Sequence, residues 1–260
     1  MKDSNKIIQV IENQWPELNN EILTLFKDSI GVKTSINSNN EVVSKFGGLP
    51  QISKDFNYPY LEGNPLSFIC QFKISEIRKI SDTVKLPSKG MIYIFLRTHG
   101  LNRYPTLKNE FCVLYNPNEN ELTEYQFDKT SFKPLVFNEK KISFYPLVSI
   151  PEYIELISDD YSEYEDILED IEQEIKKMTY PHFDEEYLSG SYFFGNPKPL
   201  QQPILRGSKE NLELFLQLDL SNLLLDFHTV FGSSTAYFIG ELEVIEDYNY
   251  DKLNLIIQNV

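Results

Sequence analysis

The 260-residue chain reads as an α+β protein, mainly antiparallel sheet, built from two related repeats with pseudo-two-fold symmetry. Three features predict it. First, one order of motifs occurs twice: Phe46-Gly47, Leu66–Ile77 and Tyr93 are echoed by Phe194-Gly195, Leu212–Leu223 and Tyr237. Leu66–Ile77 lies over Leu212–Leu223 without a gap. Leu66/Leu212, Gln71/Gln217 and Ser75/Ser221 are identical and six further pairs are apolar in both, so nine of 12 positions agree in kind. The offset shrinks from 148 at the Phe-Gly pair through 146 at the glutamines to 144 at the tyrosines, as small loop deletions in a duplicated unit leave it. Second, the 16 Tyr and 18 Phe favour sheet, because flat rings pack well on a pleated, half-buried surface. Third, helical periodicity is confined to the N-terminus and to Ser158–Met178.

Taken in order, residues 6–30 carry apolar positions that from Leu18 recur at steps of three and four, the spacing of an amphipathic helix. Pro16 splits this segment in two, and Gly31 is the expected stop of its second half. Thr34–Glu41 is a polar loop or short edge strand. Lys45-Phe46-Gly47-Gly48-Leu49-Pro50 opens the first repeat with a tight turn that needs unusual backbone angles at Gly47 and Gly48. Strands are expected over Leu66–Ile74 and Gly90–Leu96, with a short capped turn at Ser75 between them. Phe111–Tyr115 and Leu122–Phe127 flank an Asn/Pro-rich loop and read as a hairpin, and Ile142–Val148 as a further strand. Ser158–Met178 is the clearest helix, with Ile167, Leu168, Ile171, Ile175 and Met178 on one face. Its acids come early and Lys176-Lys177 late, which complements the helix dipole and reads as a solvated face. The second repeat brings turns at Gly195, Pro197 and Gly232 and strands over Leu212–Leu220 and Thr235–Val244; Lys252–Gln258 is the last strand. A single domain, 1–260, is expected: an N-terminal helical segment (1–31), repeat one (40–100), an insertion with the acidic helix (101–190) and repeat two (191–260). Each repeat is too small for a comfortable core of its own, so the two share one.

Charge and cysteine usage bound the function. A net charge of −15 argues against a nucleic-acid binder, which needs clustered Lys and Arg, and against anionic membrane surfaces. It suits a basic protein partner, and equally a merely soluble acidic surface. No run of 18 apolar residues is present, and the N-terminus lacks the apolar stretch of a signal peptide. Two cysteines make no disulfide framework, so the cytoplasm is the expected compartment. Cys70 alternates with Phe68 and Phe72 on one expected strand face and reads as a small buried hydrophobe.

Several stretches together resemble the YwqG-like family, a group of mainly bacterial proteins without an assigned biochemical role. They are Lys45–Pro50, Pro65–Gln71, Leu86–Phe95, Phe194-Gly195-Asn196-Pro197 with Gln201, Leu214–Asp219 and Phe231–Phe238, spread over roughly residues 40–260 in the family's order. The resemblance implies an α+β fold with mainly antiparallel sheet and almost nothing about activity. Where the family commonly reads Trp-Gly-Asp-x-Gly before the late strand, this chain has Phe231-Gly232-Ser233-Ser234-Thr235. Any role of that acid in relatives is therefore in doubt here.

Chemistry-bearing constellations are sparse. His99, His182 and His228 lie far apart, and no Cys or His pair has zinc-binding spacing. His182 with Asp184, Glu185 and Glu186 reads as an exposed loop, so no metal and no cofactor is expected. Gly47-Gly48 precedes a proline rather than opening a helix, which excludes a phosphate-cradling loop. The glutamines stand out: Gln71 and Gln217 sit at equivalent places in otherwise apolar strands, and a buried amide needs partners. Each ties its strand to a nearby turn, or else Gln71, Gln201 and Gln217 line a polar pocket between the repeats, with Asp219 and His228 as its ionisable members. The expected function is a non-enzymatic protein-binding module, of which an immunity-type protein against a basic toxin is one form. The alternative is an enzyme or small-ligand binder using a cleft between the repeats.

Overall fold

The computed structural model describes residues 2–16, 23–34, 43–99, 108–127, 133–150, 165–179, 188–205, 212–221 and 230–260. Its β-branched and aromatic runs form strands: β1 (Lys27–Thr34), β2 (Lys45–Phe46), β3 (Gln51–Ile52), β4 (Tyr60–Leu61), β5 (Asn64–Pro65), β6 (Ser67–Lys73) and β7 (Met91–Leu96). There follow β8 (Phe111–Asn116), β9 (Thr123–Glu124), β10 (Lys140–Ser149), β11 (Leu188–Phe193), β12 (Leu212–Asp219), β13 (Ser234–Glu241) and β14 (Asn254–Asn259). Helices α1 (Lys2–Gln14), α2 (Ile74–Ile77), α3 (Glu165–Thr179) and α4 (Leu242–Glu246) and a 3₁₀ turn at Tyr250–Lys252 complete the described elements.

Ten strands form one antiparallel sheet in the order β14-β13-β12-β11-β1-β10-β2-β6-β7-β8. The long pair β1/β10, in register from Lys27↔Ser149 to Thr34↔Ile142, lies at its centre. One arm (β2, β6, β7, β8) extends from β10 and the other (β11, β12, β13, β14) from β1. The sheet curls like a nearly closed barrel, so that Phe111 of β8 meets Phe238 of β13 at 6.2 Å between ring centroids, and Tyr115 meets Tyr250 at 6.3 Å. All ten strands send buried side chains into the one interior, from Ile30, Phe46 and Phe72 to Phe193, Phe215 and Leu255. Rings run across it from arm to arm: Phe46–Phe72 at 6.1 Å, Phe72–Phe193 at 4.8 Å, Phe193–Phe215 at 5.7 Å and Phe215–Tyr250 at 4.7 Å. Burying one such ring is worth about 1.5–3 kcal/mol, so this chain of rings is a main source of cohesion.

Three smaller clusters cover the outer face. Tyr58, Phe68, Tyr93 and Phe95 pack over β6 and β7; Ile7, Ile11, Ile171 and Ile175 of α1 and α3 pack on Val148 of β10; and Tyr192, Leu214, Tyr237 and Ile239 lie over the other arm. The apolar stripe read in Ser158–Met178 is the face that docks, although 158–164 falls outside the described residues.

Several expectations need correction. Gly31 is not a helix stop: α1 stops at Gln14, before Pro16, the next helical residues among those described end at Thr24, and Gly31 lies within β1. A Cβ there would stand 1.9 Å from the Tyr145 ring, so glycine lets that ring cross the strand. The second half of the expected helix, 17–22, lies outside the described residues, as does 35–42. Ser75 makes no cap: it lies inside α2, whose N-cap is Lys73 with no side-chain bond. The 111–127 hairpin does not zip, because β9 leaves β8 and pairs with β3. Asn116 and Asn118 side chains instead accept the N–H groups of Asn118 and Asn120, curling the loop. Val244 belongs to α4, since β13 ends at Glu241. The strands expected within 101–190 are present as β8 and the central β10. Finally, a bulge between Phe68 and Cys70 puts Phe68 on the outer face, with Cys70 and Phe72 inside. A bulge adds one residue to a strand and so reverses the facing of everything beyond it.

Candidate functional site

Each arm is fastened by a glutamine. On β6, the Gln71 Oε1 accepts the N–H of Gln51 at 2.8 Å, while its Nε2 donates to the Val43 carbonyl at 2.8 Å and to Gln51 Oε1 at 3.0 Å. On β12, the Gln217 Oε1 accepts the N–H of Lys198 at 2.9 Å and its Nε2 donates to the Gly190 carbonyl at 2.7 Å. A tyrosine on the next strand completes each clasp: Tyr93 faces Gln71 and donates to the Gln51 carbonyl at 2.7 Å, and Tyr237 faces Gln217 and donates to the Lys198 carbonyl at 2.7 Å. Both amides are buried and take their partners mainly from backbone.

The clasped turns share backbone shape. Gly47 and Gly48 have φ of 62° and 68°, Phe194 and Gly195 have 60° and 84°. The Gly47 N–H donates to the Ile69 carbonyl at 2.8 Å and the Phe194 N–H to the Phe215 carbonyl at 3.2 Å. Phe46 lies opposite Cys70 and Phe193 opposite Leu216. Gly47 therefore occupies the place of Phe194, and Gly48 that of Gly195. At Gly47 a Cβ would stand 2.2 Å from the Asn138 carbonyl oxygen, so only glycine fits. Pro50 and Pro197 each precede the clasped residue. Gly232, with φ of 64°, has open space where a Cβ would be.

Of the residues expected to form a polar pocket, Gln71 and Gln217 stand five strands apart in the sheet. Gln201 belongs with the second arm, its Nε2 donating to Asn259 Oδ1 at 3.1 Å and its N–H to Gln258 Oε1 at 3.1 Å. Asp219 is buried at the end of β12, where its Oδ1 accepts the Ser221 hydroxyl at 2.6 Å and N–H at 2.9 Å. His228, like His182 and Asp184–Glu186, lies outside the described residues. Among the described residues no group of His, Cys, Asp and Glu is arranged to hold a metal.

Burial sets the chemistry of the thiols. Cys70 is held well above the ordinary thiol range by burial alone, and Cys112 is pushed up to about 11 by burial and by the Asp251 carboxylate. Both are thiols at neutral pH and poor nucleophiles. Burial likewise raises the phenols of Tyr58, Tyr93 and Tyr250. Between about pH 9, where an exposed thiol ionises, and about 11, where Cys112 does, the native state holds the extra proton. Unfolding free energy therefore falls as pH rises through that window. Urea midpoints at pH 8 and 10.5 check this: the midpoint drops, with the phenols adding to the loss, and equal midpoints would contradict it.

A cleft that the sequence reading did not locate lies between the arms. It has a volume of about 220 Å³ and is lined by Lys27, Ser29 and Ile30 of β1, the 81–85 loop of the first arm, Phe194, Gly195 and Glu213 of the second, and Ile245 of α4. The Lys27 ammonium lies 3.6 Å from the Glu213 carboxylate, and Ser29 Oγ donates to Ser149 Oγ at 2.9 Å beneath the turn. Its lining residues are scattered from 27 to 245, so no local motif announces it. A second, polar hollow of about 420 Å³ lies beside α4, between Lys108, Glu241, Glu243, Asp247 and Lys252.

A search of the curated proteins finds no match to the chain. The family model described as a domain of unknown function, DUF1963, matches residues 44–258, a span that holds Gln71, Gln217, both clasping tyrosines and the Phe194-Gly195 turn. The chain is a member of that DUF1963 family.

Proposed function

We propose that the chain is a non-enzymatic binding protein whose partner is a basic protein, taken up along the open edge of β14. The observation that carries this reading is the chemistry of that edge. β14 is Asn-Leu-Ile-Ile-Gln-Asn, without charge, proline or glycine, and among the described residues no strand pairs with its far side. Natural sheets commonly blunt exposed edges with lysine, proline or bulges, and an edge lacking them is a template for strand addition. The Val260 N–H donates to the Ser233 carbonyl at 3.0 Å. By the alternation of an antiparallel ladder, Ile257 and Asn259, beyond the buried Leu255, then turn their N–H and C=O groups outward. Just before the strand, Glu241, Glu243, Asp247 and Asp251 are exposed, with Lys252 their single basic neighbour in 241–253. With a net charge of −15 this favours an extended segment rich in Lys and Arg. Neutralising a basic toxin or nuclease in the cytoplasm is the immunity-type form of the reading. The two free cysteines agree with a cytoplasmic setting, and no described helix is long and apolar enough to cross a membrane.

The same proposal takes residues 1–260 as one domain, of YwqG-like type, whose two arms descend from one duplicated module related by an approximate two-fold between β1 and β10. Support comes from the matching clasps, from the bulges at Phe68/Cys70 and Leu214/Leu216, and from the mirror order of strands about β1/β10.

Capture from lysate at low salt, followed by salt elution, tests the binding reading. A basic protein is retained and released by salt; Asn259→Pro, which removes one outward N–H, weakens its binding by about fivefold, the worth of one hydrogen bond. Retention of no basic protein at low salt, or equal binding by Asn259→Pro, contradicts it.

A further inference from the structure

We infer that the 220 Å³ cleft between the arms is a binding site for a small zwitterion with an apolar side chain, the chemistry of a free aliphatic or aromatic amino acid. This site does not use the β14 edge and stands on separate observations.

The first is composition. The lining carries two cations, Lys27 and Lys85, two anions, Asp28 and Glu213, and the hydroxyls of Ser81 and Thr83, beside apolar Ile30, Val84, Phe194, Leu214 and Ile245. A lone anion would meet two carboxylates and the field of a chain at −15, and a lone cation would meet two ammonium groups. A purely apolar molecule would strip water from both. A ligand carrying both charges on one end and an apolar group on the other satisfies each wall. Lys85, half-exposed and 4.0 Å from Glu246, can turn to a ligand carboxylate, and Glu213, half-exposed and 3.6 Å from Lys27, to a ligand ammonium. The volume lies below the range of about 300–1,000 Å³ usual for drug-sized ligands, which limits the occupant to a small metabolite.

The second is backbone strain. Phe194 has φ of 60°, a region that costs a bulky L-residue about 1–2 kcal/mol and that the other turn fills with Gly47. Strain of this kind persists where the surroundings enforce it and clusters at ligand sites. The Phe194 ring packs on Phe193 at 6.0 Å and Phe215 at 6.1 Å and forms part of the cleft wall. A ring kept at a glycine position, on the wall of the cleft between the arms, points to selection for the wall rather than for the turn.

Calorimetric titration of the full chain with L-leucine and L-phenylalanine tests the inference, with 4-methylpentanoate (no ammonium) and leucinamide (no carboxylate) as probes. Saturable binding of an amino acid is expected, with each truncated probe at least tenfold weaker. Phe194→Asn, whose new residue tolerates the left-handed region, weakens binding at least tenfold while the melting temperature holds or rises. Glu213→Gln, on a half-exposed wall, weakens leucine but leaves 4-methylpentanoate unchanged, which guards against misfolding of the first variant. Absence of binding by both amino acids, equal binding of the truncated probes, or a Phe194→Asn protein that folds and binds as before overturns the inference.

Discussion

Replacing Gln71 by leucine is expected to destabilise the chain by about 2–4 kcal/mol, and Gln217→Leu by a similar amount. Each substitution keeps a side chain of similar length but leaves two backbone groups without partners: the Gln51 N–H and Val43 carbonyl in one arm, the Lys198 N–H and Gly190 carbonyl in the other. An orphaned buried group costs about 1–3 kcal/mol, and the lower half of that range applies because these backbones are only partly buried. Against a typical domain stability of about 5–15 kcal/mol either loss is large. Tyr93→Phe and Tyr237→Phe remove the other half of each clasp. Within an arm the two substitutions act on the N–H and the C=O of the same residue, Gln51 or Lys198, and are expected to be non-additive, whereas Gln71→Leu with Tyr237→Phe adds. Urea unfolding of the singles and doubles measures this. A loss below about 0.5 kcal/mol at either glutamine, the usual range for a surface change, would make that clasp ornamental.

Gly195→Ala is expected to cost about 2–5 kcal/mol, the sum of placing a Cβ at positive φ and of overpacking a tight site. With φ at 84°, its Cβ would stand 2.0 Å from Ser29 Oγ and 2.2 Å from Ser149 Oγ. Those hydroxyls are not idle. Ser149 Oγ accepts the Asn196 N–H at 2.8 Å and donates to the Lys27 carbonyl at 3.2 Å, while Asn196 Nδ2 donates to the Leu25 carbonyl at 2.7 Å. The clash therefore falls where β1, β10 and the turn are laced together. Ser29→Ala in the Gly195→Ala background removes the nearer obstacle and is expected to recover part of the stability. Thermal unfolding of the three proteins decides it: a Gly195→Ala protein as stable as the parent would mean the serines move aside freely.

Much of the fold was legible because short aromatic and β-branched runs have few other ways to be buried. The glutamines were legible as ties, since a polar residue in an apolar strand must bond to something nearby. Identity misled where the backbone decides: Phe46-Gly47 aligns by letter with Phe194-Gly195, yet the matching left-handed residues are Gly47 and Phe194. The bulge at Ile69 is invisible as a pattern, because both faces of β6 are buried and alternation carries no signal. Gly31 read as a stop because glycine ends helices, while here it makes room for Tyr145 across a strand. The cleft was hidden for a simpler reason: its walls come from β1, a loop of one arm and a turn of the other, which only the curled sheet brings together.

A single interior is lined by all ten strands, with the same clasp at work in both arms. Native-state hydrogen exchange at the Gln51 and Lys198 amides is the sharpest probe, since each donates to a buried glutamine oxygen at 2.8 Å and 2.9 Å respectively. One cooperative unit predicts matching protection for the two amides, with opening free energies that approach the global value in both arms. If one amide exchanged at the global limit while the other opened several kcal/mol more cheaply, the arms would be separate folding units and the shared interior would not be what holds them.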